Sequence, residues 1–228
     1  MKTKLLSLIT LTLLLNTCTR VIAQDEDDDE SHGIYIQKPK FITVGLVAGA
    51  NLAQVDGDNY VGYRKIGANL GGIAHIRLYR HLTFSFETLY TQKGAKSDII
   101  RASTTNNTIY ALKYGATLNY VEIPLMINYF DRRKSHIGVG ISYSRLLNAS
   151  ETLETSEPVG IDLDKYPFHK DNYDLVAGAS LRLWKGLFAG FRFQYSLAPI
   201  RTASPPGFSR DQRQYSNLWT VRVMYLFL

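Results

Sequence analysis

Acidic and basic side chains recur at alternate positions of segments that are otherwise apolar. Glu87 and Glu122 are of the type that acts as a general acid/base pair or forms a proton path. A larger set of charged residues is predicted to lie on the inward face of these segments: Glu87, Glu122, Asp174, Arg77, Arg182, Arg192 and Arg222. Because buried charges are tolerated when they pair, we predict a structural charge network. The competing hypothesis, an acid/base site, lacks a cleft for a substrate.

Other patterns that carry chemistry are missing or incomplete. Asp56-Gly57-Asp58 resembles a fragment of a Ca²⁺ loop but lacks the later bidentate Glu, and Asp-Gly is ordinary turn chemistry. The five histidines are scattered along the chain, and there is no Gly-x-Ser-x-Gly or Walker sequence. We therefore expect no catalytic residues, no metal site and no cofactor, and we expect that the protein is not an enzyme.

The regular alternation of residue types along the sequence predicts the fold that would enclose these charges. From Phe41 onward, eight segments alternate apolar residues with small or polar ones, a pattern typical of strands with two different faces. In the first segment, for example, Ile42, Val44 and Leu46 share one face, and Thr43 and Gly45 share the other. The period of two predicts an all-β fold but does not distinguish a soluble barrel from one that lies in a membrane.

Three features favour the membrane barrel. The polar face is rich in Gly and Ser, which fit a narrow interior, and Tyr and Phe recur near strand ends as interfacial girdles require. Connections also alternate in length. They are short near residues 80–81, 131–134 and 184–186, and long at 54–65, 93–116, 148–173 and 199–216. We predict an eight-stranded antiparallel up-and-down transmembrane β-barrel over residues 41–228, with both termini in the periplasm.

The start of the chain is predicted to be a signal peptide over residues 1–23. Lys2 and Lys4 precede an apolar run, and Val21-Ile22-Ala23 fits a cleavage site before Gln24. The alternative is a lipid anchor on Cys18, whose upstream residues match that signal poorly. Cleavage after Ala23 removes the single cysteine of the chain, which excludes disulfides and thiolate chemistry from the mature protein.

An acidic segment follows the signal peptide. Six consecutive carboxylates repel one another and cannot form a core, so residues 24–40 are predicted to be a flexible periplasmic tail. The acids are Asp25, Glu26, Asp27, Asp28, Asp29 and Glu30. Such a run is either a solvated spacer or a negatively charged binding segment for a basic partner or Ca²⁺.

The net charge of +6 does not predict binding to nucleic acid. Three of the basic residues leave with the signal peptide, and much of the remaining positive charge is divided among the lumen, the turns and the loops. No continuous basic patch results, so lipid of the outer membrane and protein partners are the expected contacts.

Several stretches resemble one family. Ala50-Asn51-Leu52 with Val55-Asp56-Gly57-Asp58, the run from Glu87 to Lys96, and Asn119-Tyr120-Val121-Glu122-Ile123-Pro124-Leu125 are similar to the PorT-like or porin-like outer-membrane barrels of Bacteroidetes. The resemblance implies an eight-stranded barrel, and the family's name-giving member serves the type IX secretion pathway. These motifs are specific for the family but not for an activity.

We therefore expect an interaction or accessory component of the outer membrane, with a secretion or assembly machine as the candidate context. The alternative is a narrow passive channel. A third hypothesis, a hydrolase on the barrel rim, would depend on loop acids such as Asp162 or Asp164.

Overall fold

The computed structural model describes residues 41–57, 62–104, 107–155, 163–203 and 213–227. The predicted signal peptide, the acidic tail and Asp162 lie outside these residues. Eight strands follow one another along the chain: β1 (Ile42–Asp56), β2 (Lys65–Arg77), β3 (Leu82–Thr104), β4 (Asn107–Phe130), β5 (His136–Thr155), β6 (Asp171–Trp184), β7 (Leu187–Ser196) and β8 (Tyr215–Leu226). A 3₁₀ turn at Leu163–Lys165 precedes β6.

Each strand pairs antiparallel with the next, and β8 pairs with β1 to close a barrel. Ala48 of β1, for example, lies opposite Leu70 of β2 on one side and Val223 of β8 on the other. Closure supplies hydrogen-bond partners to both edges of every strand in the wall, which a strand in hydrocarbon requires. The predicted fold class, a closed eight-stranded antiparallel barrel, is confirmed.

The outer surface of the barrel is a belt of exposed apolar side chains. Ile137 and Val139 of β5 are each 63% exposed, and the neighbouring strands repeat this pattern. Members of the belt on other strands include Val44, Leu46, Leu70, Leu125, Ile127, Ile141, Leu175, Phe191, Val221 and Val223. The side chains that alternate with them are buried and largely polar. A water-soluble barrel would show the opposite arrangement, so the belt is built to contact lipid.

Aromatic side chains border the belt at both ends. Tyr79, Tyr129 and Trp184 lie exposed near one end, and Tyr143 and Tyr173 lie near the other with ring centroids 5.5 Å apart. Amphipathic rings are stable at the boundary between hydrocarbon and headgroups. The two aromatic rows therefore mark the height of the belt.

The two ends of the barrel differ. The first, called the turn end, carries the short connections at residues 78–81, 131–135 and 185–186, where they were predicted. The first and last described residues also lie there, since the Phe41 carbonyl accepts from Arg77 N–H at 2.9 Å and Phe227 N–H donates to the Val44 carbonyl at 2.8 Å. The opposite end, called the extended end, carries the remaining connections.

The sequence predicts a loop over residues 93–116, and this prediction is wrong. The pairing of β3 with β4 continues from Leu82 opposite Tyr129 to Thr104 opposite Asn107, and β5 accompanies β4 as far as Thr155. These stretches continue beyond the lipid belt, where a regular apolar outer face is not needed. β3, β4 and β5 thus form a three-stranded sheet that projects from the extended end.

No helix within the described ranges is both long and apolar enough to cross a bilayer.

Two adjacent glycines of β2 allow a direct test of the inward packing. A Cβ on Gly71 would collide with the Thr88 carbonyl oxygen and lie 2.9 Å from Leu89 Cα, whereas a Cβ on Gly72 meets nothing nearer than the Gly45 carbonyl oxygen at 3.8 Å. We expect Gly71→Ala to lower the free energy of unfolding by about 1–3 kcal/mol. Gly72→Ala, the matched control, should leave it unchanged in denaturant titrations in detergent micelles. Equal stabilities would contradict this packing.

Candidate functional site

The middle of the lumen contains a first cluster of charges that reach across the barrel. Glu87 of β3 accepts two hydrogen bonds from Arg192 of β7, at 3.0 Å to Oε2 and 2.6 Å to Oε1. Arg222 of β8 donates to Glu87 Oε2 at 2.8 Å. All three side chains are buried. The fork of Arg192 matches both carboxylate oxygens, which fixes the orientation of the pair as well as its charge.

A second cluster is centred on Lys93 of β3. Its Nζ lies 2.5 Å from Asp174 Oδ2 and 3.2 Å from Glu122 Oε2, and the three side chains are at most 1% exposed. Ser142 Oγ donates to Glu122 Oε1 at 2.9 Å, and Gln194 Nε2 donates to the same oxygen. Polar neighbours thus share in the stabilisation of the Glu122 carboxylate, as a buried charge requires.

Neutral polar residues continue this network from strand to strand. Asn51 Nδ2 donates to Thr91 Oγ1 at 2.7 Å, and Thr220 Oγ1 donates to Asn51 Oδ1 at 2.9 Å. These bonds join β1, β3 and β8 through the lumen. They make the register of the three strands interdependent, because a shift of one residue would turn each of these side chains outward.

Apolar residues fill the lumen at the turn end. The cluster consists of Val47, Ile73, Leu89, Phe188, Met224 and Leu226. Next to it, the ring of His136 stacks on Phe130 at 4.4 Å between centroids and contacts His75 edge-on at 5.7 Å. Side chains therefore occupy this end of the lumen.

A second apolar cluster lies at the extended end. It contains Val55, Ala95, Tyr114, Ala116, Leu118, Tyr120, Phe168 and Ile200. Arg201 lies over the Phe168 ring at 4.0 Å and donates to Glu151 Oε2 at 2.6 Å, and Glu151 also accepts from Tyr114 Oη at 2.6 Å. These contacts attach the connections around Phe168 and Ile200 to β4 and β5, over the mouth of the barrel.

Outside the belt, a polar contact joins β5 to β6. Arg145 lies 2.6 Å from Asp171 Oδ1, and Tyr143 Oη donates to the same oxygen at 2.7 Å. The hydrogen bonds from Tyr143 and Arg145 lower the pKa of Asp171. This exposed pair remains ionised over the physiological pH range and belongs to neither lumen cluster.

Five of the seven predicted network residues lie in the two clusters, and two do not. Arg77 Nε donates to the Tyr79 carbonyl at 3.5 Å, and Arg182 Nε donates to the Trp184 carbonyl at 3.4 Å. β2 ends at Arg77 and β6 ends two residues after Arg182, so these side chains extend over the rim of the turn end and not into the lumen. Their assignment to an interior network needs this correction.

Lys93 is the residue that sequence reasoning missed. The loop predicted over residues 93–116 includes it, because the apolar face of β3 ends before it. The inward face nevertheless continues in steps of two through Glu87, Leu89, Thr91 and Lys93. That period was the signal that would have identified it.

The arrangement offers little for acid/base chemistry. Glu87 and Glu122 belong to different clusters, and each carboxylate is neutralised by Arg or Lys and is at most 1% exposed. Within the described ranges, no group of three or more His, Cys, Asp or Glu side chains is placed to hold a metal ion.

Comparison with known proteins gives one family match. The model of the outer membrane protein beta-barrel domain matches residues 23–201. No curated protein sequence matches the chain.

Solved structures show a more distant likeness. Ail, the attachment invasion locus protein of Yersinia pestis, is 10% identical with a TM-score of 0.43, over 81% of this chain and 98% of that chain. Neisserial surface protein A is 13% identical with a TM-score of 0.43, over 82% and 97%. The outer membrane protein AlkL is 12% identical with a TM-score of 0.36, over 86% and 96%.

Lys93 provides the test of the second cluster. Lys93→Met leaves Glu122 and Asp174 buried without their cation, so the free energy of unfolding should fall by about 3–5 kcal/mol. The control is Lys113→Met, which breaks the exposed pair of Lys113 with Glu154 (3.2 Å, side chains 64% and 62% exposed) and should cost less than about 1 kcal/mol. Denaturant titration in micelles measures both.

A rescue variant separates lost charge balance from lost packing. Lys93→Met combined with Glu122→Gln and Asp174→Asn carries no uncompensated carboxylate in the second cluster, so it should recover most of the stability. If Lys93→Met and Lys113→Met unfold at the same denaturant concentration, the second cluster does not have the role described.

Proposed function

The chain belongs to the outer membrane protein beta-barrel domain family, and we propose that it acts in the bacterial outer membrane as a non-enzymatic interaction or accessory component whose lumen is closed. The family and the belt of exposed apolar side chains place the barrel in the lipid bilayer of that membrane. The proposal concerns what the barrel does there.

The filled lumen is the observation that carries this proposal. An eight-stranded barrel has an interior about as wide as its own side chains. Here the clusters of Glu87 and Lys93 occupy the middle, and apolar side chains occupy both ends. A water-filled path would have to displace paired charges, which is costly in a low-dielectric interior. A closed lumen therefore fits better than the competing hypothesis of a narrow passive channel.

The same clusters support a role without catalysis. A general acid or base has to reach a substrate. The lumen carboxylates are bound to Arg or Lys and are buried at mid-height, where no substrate could approach them. The rim hydrolase would depend on Asp162 and on the side chain of Asp164, which lie outside the described residues.

We infer the orientation of the barrel in the membrane from the difference between its two ends. Outer-membrane barrels have short periplasmic turns and longer extracellular connections. We therefore assign the turn end to the periplasm, with both termini, and the extended end to the cell exterior. On this assignment the acidic residues 25–30 would lie in the periplasm, within reach of a basic partner there.

The sheet of β3, β4 and β5 is the surface we propose for extracellular contacts. One cavity of about 360 Å³ on this sheet is lined by Lys65, Lys96, Lys113, Thr117 and Thr152, among others. A second, of about 340 Å³, is bordered by Leu146, Leu147, Tyr166 and Phe168. Glu151, Lys170 and Arg201 also line the second cavity, so the first cavity is mainly basic and the second combines apolar with charged side chains.

The resemblance to PorT-like barrels suggests which machine of the outer membrane this protein could serve. It supports a role beside a secretion pathway of the type IX kind or beside an outer-membrane assembly machine. The long projecting sheet and the acidic tail would give such a barrel separate contacts on the two sides of the membrane.

Conductance in planar bilayers tests the closed lumen. The purified barrel should give no unitary currents, because charge pairs and apolar clusters fill its interior. Replacing Glu87, Arg192 and Arg222 together by Ala empties only the first cluster, so the second cluster and the apolar side chains at both ends should keep this variant closed as well, provided it still shows the heat-dependent gel shift of a folded barrel. Clear unitary currents from the unaltered protein would refute the closed lumen and favour the channel.

Photocrosslinking in native membranes tests the interaction role. A photoreactive residue at Thr152, on the projecting sheet, should give a discrete crosslinked species larger than the barrel. The same residue at Val139, in the lipid belt, is the matched control and should give none. If neither position yields a protein adduct, the accessory role loses its support, and any adduct identified by mass spectrometry names the machine.

A further inference from the structure

The turn end carries a concentration of positive charge that the lumen does not use. Seven basic residues on the three turns and the strand ends beside them form what we call the basic rim: Arg77, Arg80, Arg132, Arg133, Lys134, Arg182 and Lys185. Asp131 is the one acid on these three turns, and its Oδ1 accepts the Ser135 N–H at 2.7 Å. Within the described residues none of the seven forms an ion pair with a carboxylate.

Short turns hold these charges in place. Lys134 N–H donates to the Asp131 carbonyl at 3.0 Å, and Asp131 N–H donates to the Ser135 carbonyl at 2.8 Å. Lys134 adopts a left-handed backbone with φ of 65°, which closes the turn and leaves Arg132 and Arg133 exposed. The rim is thus a preformed arrangement of like charges, and it is stabilised by any anion that lies across it.

The chain itself brings an acidic segment to this place. β1 begins beside the rim, because Arg77 N–H donates to the Phe41 carbonyl. Ten residues, 31–40, separate Phe41 from the six consecutive acids at 25–30. Ten residues span at most about 35 Å when extended and about 17 Å on average as a flexible coil. The turn between β4 and β5 lies three to four strands from β1, about 20 Å along the wall.

We propose that the acidic segment, residues 25–30, binds the basic rim of its own barrel. Six acids face seven bases and the single acid Asp131, so the charges are close to complementary. The short connection makes the contact intramolecular and gives it an effective concentration in the millimolar range. The proposal rests on the described rim and on the sequence, and it stands or falls independently of the proposed function.

The chemistry makes this contact reversible. Exposed ion pairs are individually weak, and salt screens them over about 8 Å at physiological ionic strength. A partner with a basic surface would compete for the acidic segment, and a partner with an acidic surface would compete for the rim. A partner of either charge would therefore release the acidic segment from the rim.

Paramagnetic broadening in solution NMR tests the contact in the mature chain, which has no native thiol if it begins at Gln24. A nitroxide on Ser31→Cys should broaden the amide signals of residues 131–135 and 185–186 at low salt. The broadening should fall several-fold in 0.5 M NaCl, a concentration chosen because the screening length there is only about 4 Å. Amide signals at the extended end should not change.

Charge variants identify the two sides of the contact. Replacing the six acids of residues 25–30 by Asn or Gln should abolish the broadening, and so should Arg132→Gln, Arg133→Gln and Lys134→Gln together. The matched control removes three lysines from the extended end, Lys96, Lys113 and Lys170, and should leave the broadening intact.

Other occupants of the rim give different results. No broadening at low salt overturns the proposal. Broadening found only when nitroxide-labelled chains are mixed with separate ¹⁵N-labelled chains shows a second copy as the occupant and also overturns it. Broadening that is present in zwitterionic nanodiscs but lost in nanodiscs with anionic phospholipid shows that lipid headgroups displace the acidic segment. That result contradicts the acidic segment as the occupant of the rim in the membrane.

Discussion

The structure depends on one constraint: every charge that enters the closed lumen has to be neutralised by another side chain there. Eight strands enclose a space about as wide as the side chains they direct inward. Glu87 is therefore bound by two arginines, and Lys93 lies between Glu122 and Asp174. Since the partners come from different strands, the ion pairs also hold the strands in one register.

Two environments follow from this constraint, and they explain the composition of the strands. Along the belt, outward positions are apolar because they contact lipid, and inward positions are small or paired because the lumen is narrow. Beyond the belt both faces are free to be polar, so β3 and β4 continue as strands of unlike composition. The same backbone thus crosses from lipid to water without a break.

Sequence predicts the part of this structure that depends on the side-chain period. Eight strands, the closed fold, the outward belt and the short turns all follow from alternation and from turn residues. The length of β3 and β4 does not follow from the sequence. Outward apolar residues are needed only along the lipid belt, and both strands continue beyond it. The partners of the charges do not follow either: Arg192 meets Glu87 across the barrel because of strand stagger, which a single sequence does not specify. Arg77 and Arg182 show the same limit at the rim, where the strands end.

A lumen filled in this way moves any interaction with other molecules to the ends and outer faces of the barrel. The belt faces lipid, so a partner would reach the projecting sheet at one end and the basic rim at the other. These two ends differ in chemistry, since the extended end combines lysines with a cavity of mixed apolar and charged lining and the rim is almost purely basic. The paired charges and apolar clusters of the lumen thus hold the projecting sheet and the basic rim a fixed distance apart.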